Sequence, residues 1–136
     1  MILVDTSAWV EFDRATGSAV DLRLRDLIGK SDEVTVTEPV TMEVLAGARD
    51  DRREDDLRRL LDRFHLLRFD AAVHGDGAVR IYRSCRRVGI TPRGLIDCMI
   101  AAVAMSAGVP VLAHDRDLAA ISSVVDLGLD EHSLRS

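Results

Sequence analysis

A chain of 136 residues, 47% apolar and 30% charged, has the length and composition of one soluble globular domain that builds its core without staples. A net charge of −5 argues against broad, sequence-blind nucleic-acid binding, and two cysteines are too few for a disulfide framework or a zinc site. The apolar run near Ile100 to Ala107 is too short to span a bilayer, and no basic stretch precedes the opening strand pattern. The expectation is a cytoplasmic protein with no signal peptide and no membrane contact.

In chain order, Ile2-Leu3-Val4 is wholly apolar and reads as a buried parallel strand ending at Asp5. Thr6 and Ser7 offer N-cap hydroxyls to a helix through Phe12, which Gly17 breaks. Ser18 with Asp21 resembles a capping box. Val20, Leu24, Leu27 and Ile28 then follow at helical spacing until Gly29. Val34 to Thr37 is a second strand. Pro39 suits the first turn of a helix that carries Glu43 and ends near Gly47. From Asp50 to Arg63 the sequence is heavily charged, yet Leu57, Leu60, Leu61 and Phe64 fall on one helical face. Glu54–Arg58 and Asp55–Arg59 are spaced for i,i+4 support, so this is a solvated amphipathic helix.

Leu66 to Phe69 is the third strand. Ala71 to Val88 is a long helix with the stripe Ala78, Ile81, Tyr82, Cys85 and Val88, and with Arg80, Arg83, Arg86 and Arg87 on its other faces. Thr91-Pro92-Arg93-Gly94 is a loop. Leu95 to Ala107 is apolar apart from Asp97 and Ser106, a buried helix stopped by Gly108. Val109 to Leu112 is a fourth strand, Asp115-Arg116-Asp117 opens a short helix, and Val124 to Leu127 is the candidate fifth strand. Cys85 and Cys98 are expected as small core residues. Trp9 and Phe12 belong in the core or under a partner. Alternating strands and helices predict an α/β fold: a central parallel sheet of about five strands, covered on both faces, in a single domain over 1–136.

Asp5 and Asp115 lie just past strand ends, where open α/β sheets bind ligands. Glu43 and Asp97 sit in mostly apolar helices and are expected on the same side, near helix N-terminal halves. An isolated buried carboxylate costs several kcal/mol, roughly, and tends to take up a proton instead. Four acids with no paired basic residue make sense around a shared hard cation, Mg²⁺ or Mn²⁺, which polarises a phosphodiester and lowers the pKa of a bound water. Thr6 and Ser7 are expected to support substrate or water beside Asp5. Asp115 and Asp117 compete for the fourth role; Asp115 is closer to the strand end, which leaves Asp117 as a supporting group. Of the 18 basic residues only Lys30 is lysine. Arg80, Arg83, Arg86, Arg87 and Arg93 are candidate RNA contacts, arginine being suited to bidentate phosphate binding.

Together, Met-Ile-Leu-Val-Asp5-Thr-Ser7, mid-chain Glu43, Leu95-Ile96-Asp97-Cys98-Met99-Ile100-Ala101-Ala102 and His114-Asp115-Arg116-Asp117-Leu118 resemble a PIN domain. More narrowly, they resemble the VapC toxin ribonucleases of type II toxin–antitoxin pairs. The resemblance covers essentially the whole chain. It implies a three-layer α/β/α fold and a Mg²⁺-dependent endoribonuclease, with Mn²⁺ as substitute, inhibited by a cognate VapB-type antitoxin. It assigns Asp5, Glu43, Asp97 and Asp115 to the family's acidic quartet. One departure is Ala113, where a Thr often stands in the family. A homodimer and higher toxin–antitoxin assemblies are expected. The alternatives are a housekeeping RNA-processing PIN nuclease and a catalytically inactive PIN-fold binding module. A haloacid-dehalogenase-type phosphohydrolase needs a second Asp where Ser7 stands. A response-regulator receiver needs a late lysine, and Lys30 is too early.

Overall fold

Ile2–Val4 (β1), Val34–Val36 (β2), His65–Leu66 (β3) and Val111–Leu112 (β4) form one parallel sheet in the order β3-β2-β1-β4. This is a computed structural model, and it describes residues 1–30 and 32–135. Seven helices connect the strands among the described residues: α1 (Thr6–Asp13), α2 (Ala19–Ile28), α3 (Glu38–Ala46), α4 (Asp51–Leu61), α5 (Ala71–Arg87), α6 (Leu95–Ala107) and α7 (Arg116–Ser122). None is long and apolar enough to cross a membrane.

The continuous apolar sequence of β1 follows from its position at the centre. Leu3 and Val4 point to opposite faces of the sheet, and both are fully buried. Helices therefore cover both faces, as the resemblance implied, in three layers. Leu3 pairs with Thr35 on one side and Val111 on the other, so a one-residue slip would move Asp5 off the strand end.

The helix boundaries obey local chemistry. Ser18 caps α2 by accepting from the Asp21 N–H at 3.1 Å. The Asp21 carboxylate returns a bond to Gly17 N at 2.9 Å, one residue earlier than a standard capping box. Asp50 and Asp70 cap α4 and α5. Gly108, at φ +67°, ends α6 in the left-handed turn that glycine adopts without a Cβ penalty. Gly77 has a packing role: a Cβ there would meet Ala102 Cβ at 3.3 Å, so its absence lets α5 and α6 approach closely.

Trp9 is buried in the core, edge-on to Phe12 with ring centroids 5.9 Å apart and 5.7 Å from Phe64. Leu57 and Leu61 carry the buried face of α4, and both cysteines are buried and free. Several expectations shift. Val88 lies past the end of α5 and is exposed; Ile90, whose N–H reaches Cys85 O at 2.9 Å, packs against the core nearby. The strand at 109–112 begins only at Val111, because Val109 N still bonds Ala104 O at the end of α6 and Pro110 has no N–H to give. The third strand begins earlier, at His65, and stops at Leu66. Val124 to Leu127 is not a strand: the N–H groups of Val124 and Val125 both bond Ile121 O at 3.0 Å, closing α7. The fifth position in the sheet is a single parallel bridge, Leu129 beside Val111.

That C-terminal segment is held by a partly buried ion pair. Arg23 Nη2 donates to Asp130 Oδ2 at 3.1 Å, and His132 N donates to Asp130 Oδ1 at 3.0 Å. Burial alone would raise the Asp130 pKa. The His132 N–H and the Arg23 guanidinium together outweigh it and hold the carboxyl below its ordinary value.

Candidate active site

The carboxyl end of β1 delivers Asp5 as the N-cap of α1. Its Oδ2 accepts from Ser7 N at 3.0 Å and from Ser7 Oγ at 2.5 Å. Asp5, not Thr6 or Ser7, therefore caps this helix. Ser7 instead joins two loops, because its Oγ also accepts from His114 N at 2.8 Å and ties the segment after β4 to the end of β1. Thr6 Oγ1 donates to Glu43 Oε1 at 2.7 Å and so orients the α3 acid. Glu43 lies in the second half of α3, not in its N-terminal half as expected, and enters the crevice because α3 packs against α1.

Asp97 is in the first turn of α6, whose N-cap is Gly94. It is too far into the helix to cap it. Asp115 is the N-cap residue of α7 but makes no side-chain cap bond, and Asp117 lies in the first turn. Asp97, Asp115 and Asp117 each present an oxygen within 4.8 Å of the others. The sequence set Asp115 and Asp117 in competition; the fold brings both to Asp97. All five acids, with Thr6, Ser7, Arg93, Gly94 and Ile96, line one open cavity of about 450 Å³.

Electrostatics single out two of the acids. The Asp5 carboxyl is pushed up to about 6, first by burial and then by the charges of Asp115 and Glu43, against the lowering bonds from Ser7. Its Oδ1 is buried without a hydrogen-bond partner. Asp97 is pushed up to about 8 by burial, by the charges of Asp5 and Asp115, by a hydrogen bond with Asp115 and by the charge of Asp117. Displaced carboxylate pKa values in a cleft are a common feature of catalytic and metal-binding sites.

The expectation that no basic residue pairs with these acids is corrected. Arg93 donates from Nη2 to Asp115 Oδ1 at 3.0 Å, from Nε to Asp117 Oδ2 at 2.9 Å and from its backbone N to Asp117 Oδ2 at 3.2 Å. The sequence marked Arg93 as an RNA contact and missed this clamp. Its position close before Asp97, in the loop leading into α6, was the available signal. One guanidinium still leaves the cavity strongly acidic. The donor set is all oxygen, Asp5 Oδ1 is unpartnered, and Asp97, Asp115 and Asp117 converge, which together fit a hard divalent cation such as Mg²⁺ or Mn²⁺.

The remaining candidate RNA contacts lie outside this cavity. Arg83, Arg86 and Arg87 line a separate groove with Tyr82 on the C-terminal half of α5. Arg80 is paired with Asp76 at 2.9 Å and faces solvent.

Residues 2–124 match the PIN domain model. The chain is 41% identical over 128 residues to the VapC ribonuclease Mb1587 of Mycobacterium bovis, covering 93% of this chain and 96% of that protein. The same figures hold for ribonuclease VapC11 of Mycobacterium tuberculosis. Among solved structures, a toxin-antitoxin complex from Klebsiella pneumoniae superposes with a TM-score of 0.69 at 20% identity, covering 92% of this chain and 96% of that one. This last likeness is one of fold. With an apolar strand ending in Asp5 and an acid cluster at the sheet's carboxyl edge, the chain belongs to the PIN domain family and, within it, to the VapC proteins.

Proposed function

We infer that this chain is a VapC-type toxin endoribonuclease that hydrolyses RNA phosphodiester bonds with Mg²⁺, or Mn²⁺ in its place, at Asp5, Glu43, Asp97 and Asp115. The observation that carries the reading is the set of mutually repelling carboxylates in one cavity, Asp5 buried and the others half-buried, with Asp5 Oδ1 lacking any partner. The names of the VapC relatives, both ribonucleases, supply the reaction.

When bound, a divalent ion supplies positive charge for the phosphodiester oxygens and lowers the pKa of a water. The chain's own groups do the rest. Asp5 is held through Oδ2 by two Ser7 bonds, which leaves Oδ1 unpartnered. Asp97 and Asp115 supply facing oxygens, and Asp117 supports them. Thr6 fixes the rotamer of Glu43, leaving Glu43 Oε2 free to accept from a water or take its proton. Asp5 and Asp97 must shed their protons before they serve as ligands, so the apparent affinity for the ion rises with pH.

The partners follow from the same surface. A VapB-type antitoxin with an amphipathic helix and a basic C-terminal segment suits an acidic crevice beside apolar helix surface. A homodimer, and larger toxin–antitoxin assemblies, fit the symmetry habits of small proteins.

The decisive experiment is cleavage of single-stranded RNA by the purified chain. Mg²⁺ or Mn²⁺ is expected to support it, Ca²⁺ and EDTA are not, and the product of the adjacent antitoxin gene is expected to copurify and abolish it. Full activity in EDTA would overturn the shared-ion chemistry.

A further inference from the structure

The guanidinium of Arg93 sits on two of the acids that could hold a divalent ion. Asp115 and Asp117 are two of the three acids that converge in this cavity, and Arg93 holds one oxygen of each. The side chain lies at the mouth, 79% exposed, over carboxylates exposed by only 14% and 19%. Its charge therefore covers the acids from the solvent side. It is the one basic side chain among the described residues lining the cavity.

A guanidinium and a divalent ion a few ångströms apart repel each other, and here they compete for the same two carboxylates. Loading the ion and keeping the clamp closed therefore oppose each other. The loop itself need not move. Arg93 N stays bonded to Asp117 Oδ2, and Gly94 caps α6 directly behind it. The backbone is thus anchored at Arg93 N and at the start of α6, and only the exposed side chain has to turn. Among the described residues the guanidinium is paired with no acid other than these two. It is the one guanidinium among the described residues lining the cavity, and a guanidinium fork can bind a phosphate in two places.

We propose that Arg93 is a metal-released phosphate ligand: it closes over Asp115 and Asp117 when the cavity holds no ion, and turns to the RNA backbone when a divalent cation takes those carboxylates. The inference rests on the metal-dependent nuclease reading and adds an order to it, metal before productive RNA contact.

Two measurements test it without relying on turnover. The first is Mn²⁺ binding by titration calorimetry, with no RNA present. Arg93→Ala and Arg93→Gln are expected to bind Mn²⁺ about three- to tenfold more tightly than the natural chain, the range that two exposed ion pairs supply. Arg93→Lys, which keeps the charge but loses the fork, is expected between them. The second is the salt dependence of binding to a fluorescent single-stranded RNA, followed by anisotropy. In Ca²⁺, Arg93→Ala is expected to lower the slope of log K against log salt by about 0.7, one phosphate contact on a single strand. In EDTA the two slopes are expected to coincide.

Equal or weaker Mn²⁺ binding by the Arg93→Ala and Arg93→Gln variants would overturn the clamp. A slope change of the same size with and without Ca²⁺, or none in Ca²⁺, would overturn the release. Failure of all the proteins to bind Mn²⁺ would instead remove the metal-nuclease reading, and the clamp with it.

Discussion

Asp97 and Asp130 are both shielded carboxyls, and their surroundings drive them in opposite directions. Asp130 meets an Arg23 guanidinium at 3.1 Å and a backbone N–H at 3.0 Å, and its pKa is held below the ordinary carboxylate value. Asp97 meets Asp5, Asp115 and Asp117, and its pKa is pushed up to about 8. The first arrangement pins the C-terminal segment beside α2. The second has a net cost for the metal-free fold, because charges of one sign are gathered where water is scarce. A chain tolerates that cost where the site receives a counter-charge from elsewhere. On the proposed function, the contrast separates a carboxylate kept for architecture from one kept for chemistry, and depth of burial alone does not make the distinction.

The sharpest way to break the comparison is to remove one charge from each region. Asp97→Asn is expected to lower RNA cleavage by more than about 100-fold, beyond the usual effect of groups that only support a ligand. In chelator its melting temperature is expected to stay level or rise, since repulsion is relieved. Asp130→Asn is expected to do the reverse: cleavage within about threefold of the natural chain, with a loss of about 1–3 kcal/mol as the Arg23 pair is broken. Chemical denaturation and a cleavage assay on both variants suffice. A stable, fully active Asp97→Asn chain would erase the distinction.

Within the site, Asp115→Asn is expected to reduce cleavage more than Asp117→Asn, by about tenfold, on the assignment of Asp115 as ligand and Asp117 as support. Both acids reach Asp97, so Mn²⁺ affinity should be measured beside the rate. If Asp117→Asn is the more damaging in both, the two roles are exchanged.

The same contrast extends to the pH dependence of stability without metal. An unfolded Asp ionises near 3.8, whereas Asp5 and Asp97 in the fold hold their protons to about 6 and about 8. Between about pH 4 and 8 the folded chain therefore carries protons that the unfolded chain has released. Stability in chelator falls as pH rises through that window and levels above it. Asp130 contributes in the opposite sense: its stabilisation is present above 3.8 and is lost as pH falls through its lowered folded value. Melting temperatures from about pH 5 to 9 should slope downward for the natural chain in EDTA. The slope should be flatter in Asp97→Asn and reduced by saturating Mg²⁺. An upward slope in EDTA would contradict the assigned shifts.

Much of this protein was legible in its sequence, and the reason is local. The unbroken apolar run Ile2-Leu3-Val4 belongs to a strand covered on both faces, so it announces a parallel sheet before any contact is known. Ser18, Pro39, Gly47 and Gly108 mark helix ends because caps and turns are decided by a few adjacent residues. Asp5, Asp97 and Asp115 stand out because each interrupts or ends an apolar segment. Tertiary structure decided the rest. The run 124–127 has strand-like composition, but the end of α7 claims its first N–H groups and leaves the sheet a single bridge at Leu129. Composition also does not reveal that Arg23 reaches Asp130, that Ser7 holds both Asp5 and His114, or that Arg93 closes over two acids more than twenty residues away. Helical and strand periodicity follow from neighbours along the chain, whereas the pairing of charges depends on which loops the packed sheet brings to one edge.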